Sequence, residues 1–226
     1  MIIYGLMKFI EQIPERYDRM IGFLTLGGHK PARRRLPGLV RPGMRVLDLG
    51  CGTGSFLLAA ARKGAICTGI DASLAMLAVA EGKLAAAPEL RARVTLRHHS
   101  ASLLGRACAG QTFDLVCASL MLGELPDLVL QAVLRQVPAL LAPGGRFAVI
   151  DELWPEGRLR SVIYNLILAI TFVPNFILTR TMIRPVHDLP RRLAEAGLAV
   201  RERRDFAGGV VTLLLAERAA PAGAGA

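Results

Sequence analysis

The sequence predicts an α/β domain of the doubly wound type: a mostly parallel seven-stranded sheet with an antiparallel last strand and helices on both faces. Three observations carry this. Strand-like and helix-like runs alternate along most of the chain. The central strand runs are mostly apolar on both faces, as strands covered by helices on both sides must be. The first of them also runs straight into three glycines spaced two apart, in "VLDLGCGTG". At 226 residues the chain is long enough for one such domain with a sizeable core and too short for two.

Taken in order, "RVLDLG" (45–50) reads as a buried strand and "SFLLAAARKG" (55–64) as the helix after the glycines. "AICTGID" (65–71) is the second strand, and "SLAMLAVAEGKLAAA" (73–87) a second helix rich in Ala and Leu. "ARVTLRHHS" (92–100) and "TFDLVCASLML" (112–122) are the third and fourth strands. "LPDLVLQAVLRQVPALL" (125–141) is a helix, and "PGGRFAVIDE" (143–152) turns into the fifth strand. After an apolar helical insert, "DLPRRLAEAGL" (188–198) is the last helix, with Asp188 placed to cap it. "AVRERRDF" (199–206) and "GGVVTLLLAER" (208–218) close the domain as two strands joined by a short turn. No repeats occur.

Composition narrows the class. The chain is 53% apolar and 20% charged, which marks a globular protein; only a terminal "AAPAGAGA" lacks anything to bury. The net charge of +10 favours anionic partners. Lys30, Arg33, Arg34 and Arg35 cluster in "HKPARRR", but no aromatic residues interleave with them, so nucleic acid is not expected. The four cysteines, Cys51, Cys67, Cys108 and Cys117, form no CxxC pair, and those in apolar runs act as small hydrophobes, as in a reducing cytoplasm. The N-terminal segment has neither a basic n-region nor a small-residue cleavage site, so no secretory signal is expected. No metal site is expected either, since His98 and His99 are adjacent and point to opposite faces of a strand.

The glycine turn sets the chemistry. Between a strand and a helix such a turn lets a ligand approach the backbone at the helix N-terminus, and an acid about 20 residues further on suits ribose hydroxyls. Asp71, closing "GID", is that acid. The spacing of Gly50, Gly52 and Gly54 brings the third glycine one residue too early for a dinucleotide fingerprint, and no Gly-Lys-Ser/Thr follows to make a P-loop. Asp48, inside the strand, would repel a pyrophosphate but suits a cationic ligand. The residues therefore point to a nucleoside carrying positive charge.

"VLDLGCGTG" with "GID", "FDLVCASLMLGEL" and "LLAPGGRFAVIDE" resembles, motif by motif, the class I S-adenosylmethionine-dependent methyltransferases, over roughly residues 40 to 217. The resemblance implies a Rossmann-like fold. It also implies that Asp48 and the turn from Gly50 to Gly54 face the methionine moiety and that Asp71 takes the ribose hydroxyls. With these it groups Tyr17, Cys51, Ala72, Ser100, Ala101 and Ser119 as cofactor-binding. A narrower resemblance lies at the ends. "ERYDRMIGFLTLGGHKPARRR" and "FAGGVVTLLLAER" are similar to the opening and closing segments of UbiE-type quinone C-methyltransferases. The sequence departs from them at "HHSAS", which puts Ser100 where they have an Asp, and at "LMLGEL", where they have "FGLRN". The "GEL" segment, "DELWP" and "RTMIRPVHDLPRRLAEAGL" are similar instead to the UbiE-related methyltransferases called corrinoid protein-associated.

These resemblances imply methyl transfer to a hydrophobic small molecule, such as a quinol-like ring, or an accessory role beside a corrinoid protein or membrane partner. A carbon acceptor needs a base for its proton, and the candidates are His29 and Glu124. His29 is either that base, a lid residue or a structural histidine. Glu124 lies either on the substrate side of the site or at a solvated helix start. The expected organisation is an N-terminal helical cap (1–40), a cofactor-binding core (41–152), an apolar substrate-side insert (153–187), a closing helix and strands (188–217), and a disordered tail (218–226). The uncharged run at 161–179 is interrupted by Asn165, Pro174 and Asn175 and does not suit a membrane span. It reads as a cap on the domain or as an interfacial helix, with Arg158, Arg160, Arg180 and Arg184 near headgroups. A cytoplasmic protein, peripheral on the inner face of the membrane under the second reading, is expected.

Overall fold

The structure is a computed structural model, and it describes residues 29–154, 185–206, 209 and 211–220. The opening segment with Tyr17, and the apolar run at 161–179, lie outside the described residues.

Seven strands form one sheet: β1 (Arg45–Leu49), β2 (Ile66–Asp71), β3 (Val94–His98), β4 (Phe113–Ser119), β5 (Leu141–Glu152), β6 (Leu198–Phe206) and β7 (Val211–Arg218). Their spatial order is β3-β2-β1-β4-β5-β7-β6. The pairs from β3 through β5 are parallel, and β7 runs antiparallel to both β5 and β6. The order reverses beside β1, so the loops after β1 and β4 leave the sheet in opposite directions and open a crevice at the carboxyl edge.

Alternation along each strand gives the sheet two apolar faces. Val46, Cys67, Cys117 and Ile150 belong to one core cluster with Phe56, Leu57 and Leu84 from the helices. Leu47, Leu49, Val116 and Val149 belong to the other, with Leu130, Leu134 and Leu193. The helices that cover the faces are α1 (His29–Arg33), α2 (Ser55–Arg62), α3 (Leu74–Ala85), α4 (Leu104–Ala107), α5 (Asp127–Leu140) and α6 (Leu189–Glu195). The four cysteines are free and buried, in keeping with their reading as small hydrophobes.

The alternating order predicted from sequence is present; a 3-10 turn and the short helix α4 at 101–107 are additional, and the other differences fall at element ends. β4 stops at Ser119 rather than running to 122, because Leu120 takes a left-handed φ of 56° and turns the chain away from the sheet. β5 begins at Leu141, ahead of the Pro-Gly-Gly turn, with an irregular register against β4. Asp188 does precede α6, but it is left-handed (φ 50°) and its side chain makes no capping bond, so it does not cap the helix as expected. Ser73 is the effective cap: its side chain accepts the Met76 N–H at the start of α3.

Candidate active site

At the carboxyl edge the glycine turn is hooked over the end of β2. The backbone N–H groups of Gly50 and Cys51 both donate to the Ile70 carbonyl, at 2.8 and 3.1 Å. The Asp71 carboxylate completes the anchor: one oxygen accepts the Gly52 N–H at 2.7 Å and the other accepts the Ser73 N–H at 2.8 Å. Lys83 of α3 braces the far side of the turn, donating to the Thr53 and Ser55 hydroxyls at 2.8 and 2.9 Å.

The turn needs glycine for two different reasons. Gly52 has φ +54°, and a Cβ there would project into open space within the cavity. Gly54 has φ +70°, and its Cβ would lie 3.0 Å from the Ala80 Cβ, so it is the packing point of the turn against α3.

A cavity of about 280 Å³ opens over the turn. It brings together Asp48, Gly50, Cys51, Gly52, Asp71, Ala72, Ser100, Ala101, Ser119 and Glu124, which arrive from the ends of four parallel strands. Gly54 is not among its lining residues. His29 is buried on α1 and lines a neighbouring cavity, which shares Arg33 and Phe56 with the first. Ser100 heads a short 3-10 turn, its hydroxyl accepting the Ser102 N–H. His98 and His99 are both exposed, and His99 reaches the cavity wall.

Electrostatically the site is a cluster of reluctant acids. Burial pushes the Asp48 carboxyl up to about 7, against the pull of Arg33 and with a push from Asp71. Glu124 keeps an exposed flank at the mouth, but the protein crowding its carboxyl, then Asp151 and Asp71, raise it to about 7. Behind it, burial raises Asp151 to about 6, while backbone N–H groups that it accepts, those of Glu152, Leu122 and Gly123 among them, oppose the rise. Burial and the neighbouring Asp151 lift Glu152 to about 8.

Sequence reasoning missed Asp151, Glu152, Arg33 and His99. For the first two a signal was present: a pair of acids ending an apolar strand at the edge where α/β sheets bind ligands. Nothing local marks Arg33 or His99, because tertiary packing brings them to the cavity.

The residues present fit S-adenosylmethionine on three structural grounds. Each Asp71 oxygen uses one acceptor position on the turn and keeps another for a hydroxyl. A buried carboxyl at Asp48 suits a cation. The Ser119 hydroxyl is buried beside the cavity with no hydrogen-bond partner among the described residues, as an atom awaiting a ligand would be.

Comparison with known proteins agrees. The family described as a methyltransferase domain matches residues 46–145. A demethylmenaquinone methyltransferase of Lactiplantibacillus plantarum is 30% identical over 169 residues, covering 72% of this chain and 69% of that protein. The chain belongs to the UbiE-like class I S-adenosylmethionine-dependent methyltransferases. A 2-phytyl-1,4-naphtoquinone methyltransferase of Synechococcus elongatus is 33% identical to this methyltransferase over 147 residues, covering 62% of this chain and 60% of that one. Among solved structures, the CcbJ methyltransferase from Streptomyces caelestis shares the fold, with a TM-score of 0.68 at 19% identity over 92% of this chain and 96% of that one. Among the described residues of the methyltransferase, no helix is long and apolar enough to cross a membrane.

Proposed function

We propose that this methyltransferase methylates an apolar, ring-bearing acceptor of the hydroquinone class. The observation that carries the reading is the apolar share of the cavity lining. Phe56, Leu120, Met121 and Leu125 line the cavity together with Glu124, whose carboxyl is raised to about 7. The names of the two relatives, each a quinone methyltransferase, support the same class.

In this reading Asp71 accepts the ribose hydroxyls. Asp48 and the turn at Gly50, Cys51 and Gly52 hold the methionine end, and Ala72, Ser100, Ala101 and Ser119 complete the cofactor wall, with Tyr17 contributed by the opening segment. The bound cofactor supplies a methyl group on a sulfonium sulfur. The chain's task is then to hold the acceptor in line at about 3 Å, with water excluded, which supplies much of the rate. Methylation at carbon also requires a proton to leave the acceptor. Glu124 takes that part, since a base poised near the working pH is the most effective. His29, buried in the neighbouring cavity with Arg33 and Phe56, has a structural part. The net charge of +10 suits a peripheral contact with an anionic membrane, from which such an acceptor is drawn.

Calorimetry with S-adenosylmethionine, followed by methyl transfer to a tail-less 1,4-naphthohydroquinone, tests the reading. Micromolar cofactor binding and a C-methylated product are expected. Cofactor binding without transfer to this or a prenylated hydroquinone sinks the acceptor class and leaves the enzyme class standing.

A further inference from the structure

The turn after β4 carries Glu124, and what fixes that turn comes from a different strand. At the end of β5 the buried Asp151 presents one carboxylate oxygen to the Leu122 N–H at 2.9 Å and to the Gly123 N–H at 3.3 Å. Its other oxygen accepts the Glu152 N–H at 2.9 Å. Backbone bonds from Glu124 to the Met121 carbonyl and from Leu125 to the Leu122 carbonyl then close the turn. Leu120, immediately before it, is left-handed, a conformation that costs a non-glycine residue free energy and persists only where neighbouring contacts enforce it.

We propose that Asp151 is a positioning residue for Glu124: its carboxylate clamps the turn at residues 121–124 that presents Glu124 to the cavity, and its charge faces the Glu124 carboxyl. The inference rests on the reading of Glu124 as the proton acceptor. Clamp and charge act together. The backbone donors around Asp151 oppose the rise that burial imposes on it, and its charge in turn raises the Glu124 carboxyl. Glu124 is thereby lifted toward the near-neutral range in which a general base works best. Of the other charged groups nearby, Asp71 also raises Glu124. Asp48, Arg33 and His99 share its cavity, Glu152 adjoins Asp151 on β5, and Asp127 at the start of α5 is engaged with Arg192 of α6 at 3.0 Å.

The test needs no acceptor. Protein labelled with ¹³C at the glutamate side-chain carboxyls is titrated by NMR without cofactor, and Glu124→Gln assigns the Glu124 signal. Asp151→Asn keeps an oxygen for the Leu122 and Gly123 N–H groups and removes the charge. It should lower the Glu124 midpoint by about half a pH unit or more, with amide exchange at Leu122 and Gly123 close to the wild-type rate. Asp151→Ala removes the clamp and should speed exchange at those two amides by about tenfold or more. An unmoved Glu124 midpoint in Asp151→Asn overturns the proposal, and so does unchanged exchange in a folded Asp151→Ala. Turnover of the naphthohydroquinone by Glu124→Gln at the wild-type rate and pH profile removes the reading of Glu124 as base, and leaves the NMR result to decide the clamp by itself.

Discussion

Because each oxygen of Asp71 already accepts a backbone N–H, one from Gly52 and one from Ser73, replacing it removes the acceptors proposed for the ribose and slackens the turn that shapes the cavity. Asp71→Ala should weaken S-adenosylmethionine and its demethylated product alike, by about 2 kcal/mol or roughly 30-fold. Calorimetry on the folded variant measures this, and wild-type affinity there contradicts the ribose assignment. Asp48 predicts a difference between the same two ligands. Burial holds its carboxyl near 7, so it gains charge as the pH rises through neutrality. A sulfonium benefits from that charge and a neutral thioether does not. Cofactor affinity should therefore rise more steeply with pH than product affinity between about pH 6 and 8; parallel pH profiles would show that Asp48 does not face the sulfur. These residues were legible in the sequence because they lie close along the chain, in one strand, its turn and the end of the next. Asp151, Arg33 and His99 were not. Their place in the site depends on which strands are neighbours, and local spacing says little about that.

Elements were easier to read than their ends. Strands such as Arg45–Leu49 and Phe113–Ser119 are mostly apolar, nearly continuously buried runs because both faces of the sheet are covered, and that signal survives without a structure. Their limits depend on single backbone choices, such as the left-handed Leu120 that stops β4 or the left-handed Asp188 that precedes α6 without capping it. Residues 101–107 form a 3-10 turn and the short helix α4, for which the sequence offers no periodic run long enough to detect. The joint between α2 and α3 is a sharper case. Gly54 is left-handed and its missing Cβ would stand 3.0 Å from Ala80, so Gly54→Ala strains the backbone and the helix contact together. A loss of about 1–2 kcal/mol in urea unfolding is expected. An unchanged midpoint would mean that α3 can shift freely.

At the scale of the whole molecule the buried acids set the pH response. Asp48, Glu124, Asp151 and Glu152 all titrate above their ordinary values, so the folded chain binds protons that the unfolded chain has already released. With more protons on the native state, stability falls as pH rises. The carboxyl part of this loss should begin near the ordinary carboxylate range and level off as the pH passes about 8, the highest of the four folded values, while the buried thiols, also raised, extend the decline to higher pH. Thermal unfolding without cofactor should show this decline, and S-adenosylmethionine should reduce it by supplying a cation to Asp48. A flat profile from pH 5 to 8 would contradict the burial of Asp48, Asp151 and Glu152. The parallel half of the sheet and its glycine turn could be foreseen from alternation alone, whereas the position of β7, wedged between β5 and β6, follows only from the observed pairing. That wedge has a consequence for synthesis. Until residues 211–218 leave the ribosome, β5 is an open edge, and Asp151 and Glu152 sit on a strand with a neighbour on one side only. A nascent chain halted at residue 206 should therefore be cut rapidly by protease and tend to stick to other chains, while one extended past 218 becomes resistant. Translation delivers the catalytic framework first and the strand that seals it last, so an interrupted message yields debris and not a slow enzyme.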